Sequence, residues 1–513
     1  MDRRTDLSAD ESRMGTPVVG TPKGTDACSN IQARLPPPRI VLKFAGTLRI
    51  LIGIPEHSMA LMVSISGIRG VIGTSLTPEV LVKYVSAYSE YCRRGPIVIG
   101  RDGRATGAAV AALVSGTLQQ MGSDVIDLGI CPTPTVALAV ERLNAAGGIA
   151  ITASHNPMVW NGLKFFASDG LFLDAAQNRE FWDLAAKPSR DYVPWDRQGQ
   201  ALRNDHFIRE HIDAVLGMPI LRRDEIRRRA LRVVVDCVNA SGAVVVPQLL
   251  EHLGCTVIPL NCDGSGVFAH TPEPLPENLT QLSREVKAQR ADLGIAVDPD
   301  TDRLVLIRED GEPYGEEYTI ATCVRHVLKH HVHAGVETPP VVVNLSTTRA
   351  VDDICTEFHA PLVRTPVGEI NVAKKMREVH AVIGGEGSGG VIYPQVHTGR
   401  DALVGIGLIL QALTDFGGPV SALKASMPQY SITKGRVDLG TKNAGEILAR
   451  LAVRFAKEGR LTTDDGVKID FERSWVHLRT SNTEPIIRII AEAPDKAVAD
   501  DLVGRFTQEI GAA

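Results

Sequence analysis

From residue 62 onward, short apolar runs rich in β-branched residues alternate with segments whose apolar positions recur at helical spacing. The runs fall at residues 96–99, 125–128, 148–152, 231–236 and 256–260, then at 293–297, 340–344 and 382–383. Helix-length segments such as 317–331 and 371–379 separate the later ones. Alternation of this kind predicts α/β units. After about Gln429 the texture changes: residues 468–471, 474–478 and 486–493 read as antiparallel strands, followed by a final helix over 496–510. A separate α+β domain is expected there.

A chain of 513 residues exceeds one ordinary core, at a prior of about 150 residues per domain. The expected division is a leader over residues 1–58, then domains over 59–205, 206–312, 313–428 and 429–513. The leader is rich in Ser, Thr, Pro and Gly, includes Pro36-Pro37-Pro38, and has little periodicity that could bury a face. It reads as a disordered extension. Met59 and Met62 stand just before the first strand-like run, so a second reading has translation begin there. Residues 40–54 are apolar but carry Lys43 and Arg49, and are too short to cross about 30 Å of hydrocarbon. With no small-residue cleavage site either, neither a transmembrane helix nor secretion is expected.

Composition narrows the function. With 44% hydrophobic and 22% charged residues and a net charge of −5, the chain has a globular balance and no basic signature for nucleic acid. A small-molecule partner is favoured. The eight cysteines are scattered and form no CxxC pair, which argues against a zinc site or a disulfide framework and for a reducing, cytoplasmic setting.

Four loops carry candidate chemistry. Ile151-Thr152-Ala153-Ser154-His155-Asn156-Pro157 ends an apolar strand in a turn that presents one hydroxyl, with Asn161-Gly162 and Lys164 following. Ser154 can act there as a nucleophile, or can merely satisfy a turn. Asp298, Asp300 and Asp302 follow the strand at 293–297 at spacings that face one side of an extended segment. Three hard oxygen donors suit magnesium, and Arg303 at the place where an EF-hand needs glycine argues against calcium. Residues 479–485, with Arg479, Ser481, Asn482 and Thr483, pool guanidinium, hydroxyls and an amide that match phosphate oxygens, and Arg488 stands nearby. The glycine-rich run 384–390 holds Glu386 and Ser388. It leads into an extended stretch stopped by Pro394 rather than a helix, which fits sugar hydroxyls better than a dinucleotide. Two earlier basic loops, 66–70 with Arg69 and 100–104 with Arg101 and Arg104, read equally as structural salt bridges. His326, His330, His331 and His333 hold an i,i+4 pair but no HExxH acid, and read as a solvated helix face.

In this order the four loops resemble the α-D-phosphohexomutase superfamily from about Met62 to the C-terminus. The resemblance implies four domains around a central cleft, three related α/β sandwiches and a smaller α+β domain. It implies a phosphoserine at Ser154, magnesium on Asp298, Asp300, Asp302 and a phosphate oxygen of Ser154, and a distal phosphate on Arg479, Ser481, Asn482, Thr483 and Arg488. Glu386 and Ser388 would hold sugar hydroxyls, and Arg69, Lys164 and Arg303 would line the cleft, Lys164 as the preferred acid/base. The implied reaction interconverts a hexose 6-phosphate and 1-phosphate through a 1,6-bisphosphate that also serves as activator.

Residues 384–394 followed by Gly399-Arg400-Asp401-Ala402 look like the branch usually described as phosphoglucosamine mutase. Asn482 instead is familiar in glucose and mannose mutases, the close rival. Gly390 and Trp160 depart from the histidine and tyrosine common in the superfamily. A non-catalytic sugar-phosphate-binding homologue and a magnesium-dependent hydrolase are the readings from other classes. The first would have lost the nucleophile or metal ligands that this chain retains.

Overall fold

The computed structural model describes residues 60–331, 337–440, 442–480 and 485–512. The expected leader, Met59, His333, Ser481, Asn482 and Thr483 lie outside the described residues.

The first sheet orders its strands Met62–Ser64, Gly67–Val71, Trp160–Phe166, Gly147–Ile151, Ile97–Arg101, Val125–Ile130 and Ala201–Arg203. Ile97–Arg101 pairs in parallel with Val125–Ile130 and with Gly147–Ile151. Trp160–Phe166 runs antiparallel to Gly147–Ile151 and to Gly67–Val71. In the second sheet, Leu293–Val297 lies between parallel Arg232–Asp236 and antiparallel Leu304–Arg308, with Thr256–Leu260 at the far edge. The third sheet repeats that layout. Ile383–Glu386 lies between parallel Val341–Asn344 and antiparallel Gly390–Ile392, and Leu362–Thr365 closes the far edge. The fourth is wholly antiparallel, Ser431–Asp438, Ile486–Ala493, Trp475–Thr480, Val467–Asp470 and Arg460–Thr462, backed by the helices Ala444–Phe455 and Lys496–Gly511.

Every residue of Leu293–Val297 is buried, as a continuous apolar run predicts for a strand covered on both faces. The helix Ala402–Phe416 is apolar nearly all round and accordingly sits inside, against Glu316–His331. Asp401 caps its start by accepting from the Leu403 N–H at 2.8 Å, and Gly417 ends it at φ +76°. One apolar core runs through the second and third sheets, joining Val233 and Ile295 to Val343 and Ile383. The C-terminal domain has its own core around Phe455, Ile469, Leu478 and Phe506. Polar contacts dock it on the third domain: Arg349 N–H to Glu492 at 2.8 Å, Val367 N–H to Asp465 at 2.9 Å, and Ser346 Oγ with His477 at 2.8 Å.

The strands expected from the apolar runs are present. The antiparallel return strands Trp160–Phe166 and Leu304–Arg308, the edge strand Leu362–Thr365 and the partly charged Ser431–Asp438 escape a reading from apolar runs. The solvated histidine face is corrected at His326, which is buried because the helix Glu316–His331 turns that side onto Ala402–Phe416. No helix of the described residues is long and apolar enough to cross a membrane.

A buried polar knot joins the first domain to the helix Ala402–Phe416. Asp401 Oδ2 contacts His211 Nε2 at 2.7 Å and His397 Nε2 at 3.1 Å, and His211 Nδ1 meets Thr135 Oγ1 at 2.8 Å. Both rings and the carboxylate are buried. Asp401→Ala leaves His397 without a partner, takes the Nε2 partner from His211 and removes the helix cap. Urea unfolding is expected to show a loss of about 3–5 kcal/mol, against less than about 1 kcal/mol at an exposed site.

Candidate active site

In each of the first three domains the candidate loop is the turn between a strand and its antiparallel return. Residues 152–159 join Gly147–Ile151 to Trp160–Phe166, and residues 298–303 join Leu293–Val297 to Leu304–Arg308. Residues 387–389 join Ile383–Glu386 to Gly390–Ile392, and residues 481–485 lie between Trp475–Thr480 and Ile486–Ala493.

Ser154 is buried at φ +50°, a left-handed conformation that costs a non-glycine residue on the order of 1–3 kcal/mol. Arg104 over-determines it. Its guanidinium donates to the carbonyls of Ser154, Asn156, Pro157 and Trp160 and pairs with Asp102 at 3.0 Å. Asp102 accepts from Thr152 Oγ1 at 2.6 Å, and that hydroxyl oxygen accepts the Ser154 N–H at 2.8 Å. Arg104 therefore resolves as structural, whereas Arg69 reaches the loop through Asn156 Oδ1 at 3.0 Å and lines the cavity. Gly162 permits this approach, since a Cβ there would lie 2.4 Å from Ile68 O and 3.0 Å from Arg69 Cγ.

The three aspartates converge, with one ligand atom from each lying within 4.8 Å of the others. They do so through a tight turn, with Thr301 left-handed at φ +58°, and not through the extended segment that their spacing suggested. Ser241 Oγ donates to Pro299 O at 2.7 Å, and Thr133 Oγ1 donates to Asp300 Oδ2 at 2.7 Å. Ser154 Oγ lies 3.2 Å from Asp298 Oδ2 and 3.2 Å from His155 Nδ1.

Lys164 Nζ pairs with Asp300 at 2.5 Å and Asp302 at 3.3 Å. Burial alone would raise all three carboxyls. Against it, Lys164 and the Thr133 hydrogen bond at Asp300, and Arg400, Lys164 and Arg303 together at Asp302, hold both below the usual range, while burial and then those two charges push Asp298 well above it. Burial likewise works to lower Lys164, but Asp300 and Asp302 lift it above the ordinary lysine range. Asp300 Oδ1 and Asp302 Oδ1 are buried without a hydrogen-bond partner. Three carboxylates with excess negative charge and two unsatisfied oxygens fit a hard divalent cation such as Mg²⁺.

Arg400 joins this loop to the glycine-rich run 384–390. Its guanidinium contacts Asp302 at 2.7 Å, Glu386 at 2.8 Å and Glu369 at 3.1 Å. Glu386 also accepts from Asn344 Nδ2 at 2.9 Å and the Gly368 N–H at 3.0 Å. Gly390 accommodates Arg400, whose Cδ would be 2.3 Å from a Cβ there. Gly387 gives way to Glu317, whose carboxylate would be 1.9 Å from a Cβ. Ser388 is half-buried in the same turn.

A cavity of about 180 Å³ brings together Ser154, Lys164, Arg69, Arg303, Glu386 and Arg400. Arg479 and Arg488 stand opposite each other on the C-terminal sheet, Arg436 is opposite Arg488 in turn, and Arg479 pairs with Asp465 at 2.8 Å. Like charges aligned across strands are destabilising alone and suit an anion. Sequence reasoning did not assign site roles to Arg400, Glu369, Thr133 or Arg436. For Arg400 the signal was present in the Gly399-Arg400-Asp401-Ala402 run, but its partners come from three other segments.

The chain matches the phosphoglucomutase/phosphomannomutase alpha/beta/alpha domains I, II and III over residues 62–190, 209–311 and 315–430, and the C-terminal domain over 434–509. A Methanopyrus kandleri protein named probable phosphoglucosamine mutase is 36% identical over 445 residues, 86% of this chain and 96% of that one. A phosphoglucomutase/phosphomannomutase of Thermococcus kodakarensis is 36% identical over 443 residues, covering 84% and 94%. The crystal structure of a phosphoglucomutase/phosphomannomutase family protein from Burkholderia thailandensis superposes with a TM-score of 0.76 at 26% identity, over 88% of this chain and 98% of that one. The chain belongs to the phosphoglucomutase/phosphomannomutase family and has its four-domain α/β architecture.

Two predictions test how the site is held. Arg104→Met leaves Asp102 buried and unpaired, and unfolding measurements are expected to show a loss of about 3–5 kcal/mol. Burial, then Glu316, pushes Glu317 up to about 8 from 4.5. The folded state holds a proton that the unfolded state releases, so this residue's contribution falls as pH rises from 4.5 to 8 and the cost is complete above that. Unfolding of Glu317→Gln beside wild type should therefore coincide most closely below pH 4.5, with the variant increasingly the more stable towards pH 8.

Proposed function

We propose that the chain interconverts the 6-phosphate and 1-phosphate of a hexose, with glucosamine phosphate as first substrate, through a phosphorylated Ser154 and a bound 1,6-bisphosphate. The observation that carries this reading is the position of Ser154 Oγ, 3.2 Å from Asp298 in a cavity shared with Lys164, Arg303 and Glu386. Phosphoryl transfer needs alignment and charge stabilisation more than covalent chemistry from the protein. The left-handed turn at Ser154 fixes the direction of Oγ, and Arg69 and Arg303 offer cationic groups to the moving phosphoryl. A divalent cation held by Asp298, Asp300 and Asp302 supplies neutralisation of phosphate oxygens when bound.

In the forward step the bond from phosphorus to Ser154 Oγ breaks and one to the substrate hydroxyl forms. Lys164, held protonated by Asp300 and Asp302, is the proposed donor of a proton to the departing Ser154 Oγ, and it then takes up the proton that the substrate hydroxyl loses. The bisphosphate then turns end for end and returns its other phosphate to Ser154. Arg479 and Arg488, with Ser481, Asn482 and Thr483, are proposed to hold the phosphate not in transfer, and Glu386 and Ser388 the sugar hydroxyls. Exclusion of water keeps Ser154 from losing its phosphate to hydrolysis.

The name of the Methanopyrus relative supports the amino sugar, and the equally identical Thermococcus relative supports glucose and mannose phosphates as the second reading. The seven cysteines among the described residues are unpaired, which supports the proposed cytoplasmic setting.

A coupled assay with glucosamine, glucose and mannose phosphates, with Mg²⁺ and bisphosphate present, tests the proposal. Glucosamine phosphate is expected to lead, and Ser154→Ala to lose more than about 10³-fold in turnover. A glucose or mannose lead changes the substrate and leaves the mechanism; full activity of Ser154→Ala removes the mechanism.

A further inference from the structure

A cavity of about 450 Å³, larger than the one around Ser154, lies between the helices Glu316–His331, Ala350–Glu357, Ala402–Phe416 and Val420–Ala425. His326 and Asp415 stand on its wall, along with Arg325, Lys329 and Glu357. His330 is one turn on from His326, and the two rings meet edge to face at 4.7 Å. His326, His330 and Asp415 each offer a ligand atom within 4.8 Å of the others.

The carboxylate is presented with one oxygen committed. Asp415 Oδ1 accepts from Gln411 Nε2 at 2.8 Å and from the guanidinium of Arg222, and Gln411 Oε1 in turn accepts the Arg222 N–H at 2.7 Å. Oδ2 faces the rings, 3.4 Å from His330 Nε2 and 3.8 Å from His326 Nδ1. Tetrahedral coordination with bonds of 2.0–2.2 Å separates two donors by roughly 3.3–3.6 Å; the 3.4 Å gap falls in that range, and the 3.8 Å gap would have to close slightly around an ion. The longer gap exceeds any hydrogen bond.

His330 Nε2, the nitrogen that faces Asp415, is buried and unpartnered, and so is Nε2 of His326, whose side chain is 3% exposed and whose Nδ1 faces the same carboxylate. A buried imidazole without a partner is a cost that calls for a ligand. Two imidazoles at i,i+4 and a carboxylate oriented by an arginine and a glutamine form the donor set of a borderline metal rather than of Mg²⁺.

We propose that His326, His330 and Asp415 form a second metal site, for a divalent ion of the zinc and cobalt class, with a coordination position open to the adjoining cavity. The ion would tie Glu316–His331 to Ala402–Phe416 outside the phosphoryl-transfer site. The fourth position takes water or a small anionic ligand, to which Lys329 and Arg325 on the cavity wall add attraction.

The test is titration of the full chain with Co²⁺ as a spectroscopic probe, in excess Mg²⁺ so that the aspartate loop is occupied. One equivalent is expected to give the visible bands of a four-coordinate nitrogen and oxygen site, displaced by Zn²⁺. His330→Ala, at a ring 31% exposed and therefore tolerant of change, should abolish the bands while mutase turnover stays at the wild-type value. His326→Asn should abolish them as well. Absence of bands in the wild type, their survival in His330→Ala, or a thiolate charge-transfer band in their place would each overturn the proposal.

Discussion

Three aspartates buried side by side are stable only with countercharge, and the origin of that charge ties the first three domains together. Lys164 comes from the first sheet and Arg400 from the segment that follows the third, while the carboxylates sit on the second. Removing charges from water costs several kcal/mol each unless their partners are well placed. The same electrostatic demand that assembles the site thus positions Ser154 against Asp298. A bound divalent cation would add countercharge on the side of Asp298, which has no ion-pair partner of its own among the described residues.

In the first three domains the site is built from one device used three times, a turn between a strand and its antiparallel return. Crowding in those turns and the strands beside them explains several glycines more directly than flexibility does. At 162, 387 and 390 a Cβ would meet a neighbouring carbonyl, the Glu317 carboxylate or the Arg400 stem. In this chain Gly390 accompanies an Arg400 that fills the adjacent space, which gives a physical account of its departure from the histidine common in the superfamily.

Much of this was legible in the sequence, because buried strands such as Leu293–Val297 are continuous apolar runs and the chemistry-bearing loops are contiguous in the chain. What was not legible depends on contacts between distant segments. Arg104 reads the same as Arg69 in sequence, and only the four carbonyls gathered around it mark it as structural. The aspartate spacing suggested an extended segment, whereas left-handed Thr301 and the Ser241 contacts fold it into a turn. Trp160–Phe166 was hidden because Asn161, Gly162 and Lys164 interrupt its apolar pattern. His326 looked solvated because the covering helix lies more than seventy residues further along the chain.

The C-terminal domain keeps a core of its own and meets its neighbour through hydrogen bonds. Separating such a contact trades protein partners for water at a small net difference per bond. The domain is therefore held loosely in energy though definitely in geometry. On the proposed function, a ligand with a phosphate at each end, one at Ser154 and the other at Arg479, would act as a strut across that joint. Its length, rather than an apolar clasp, would set how far the cleft closes.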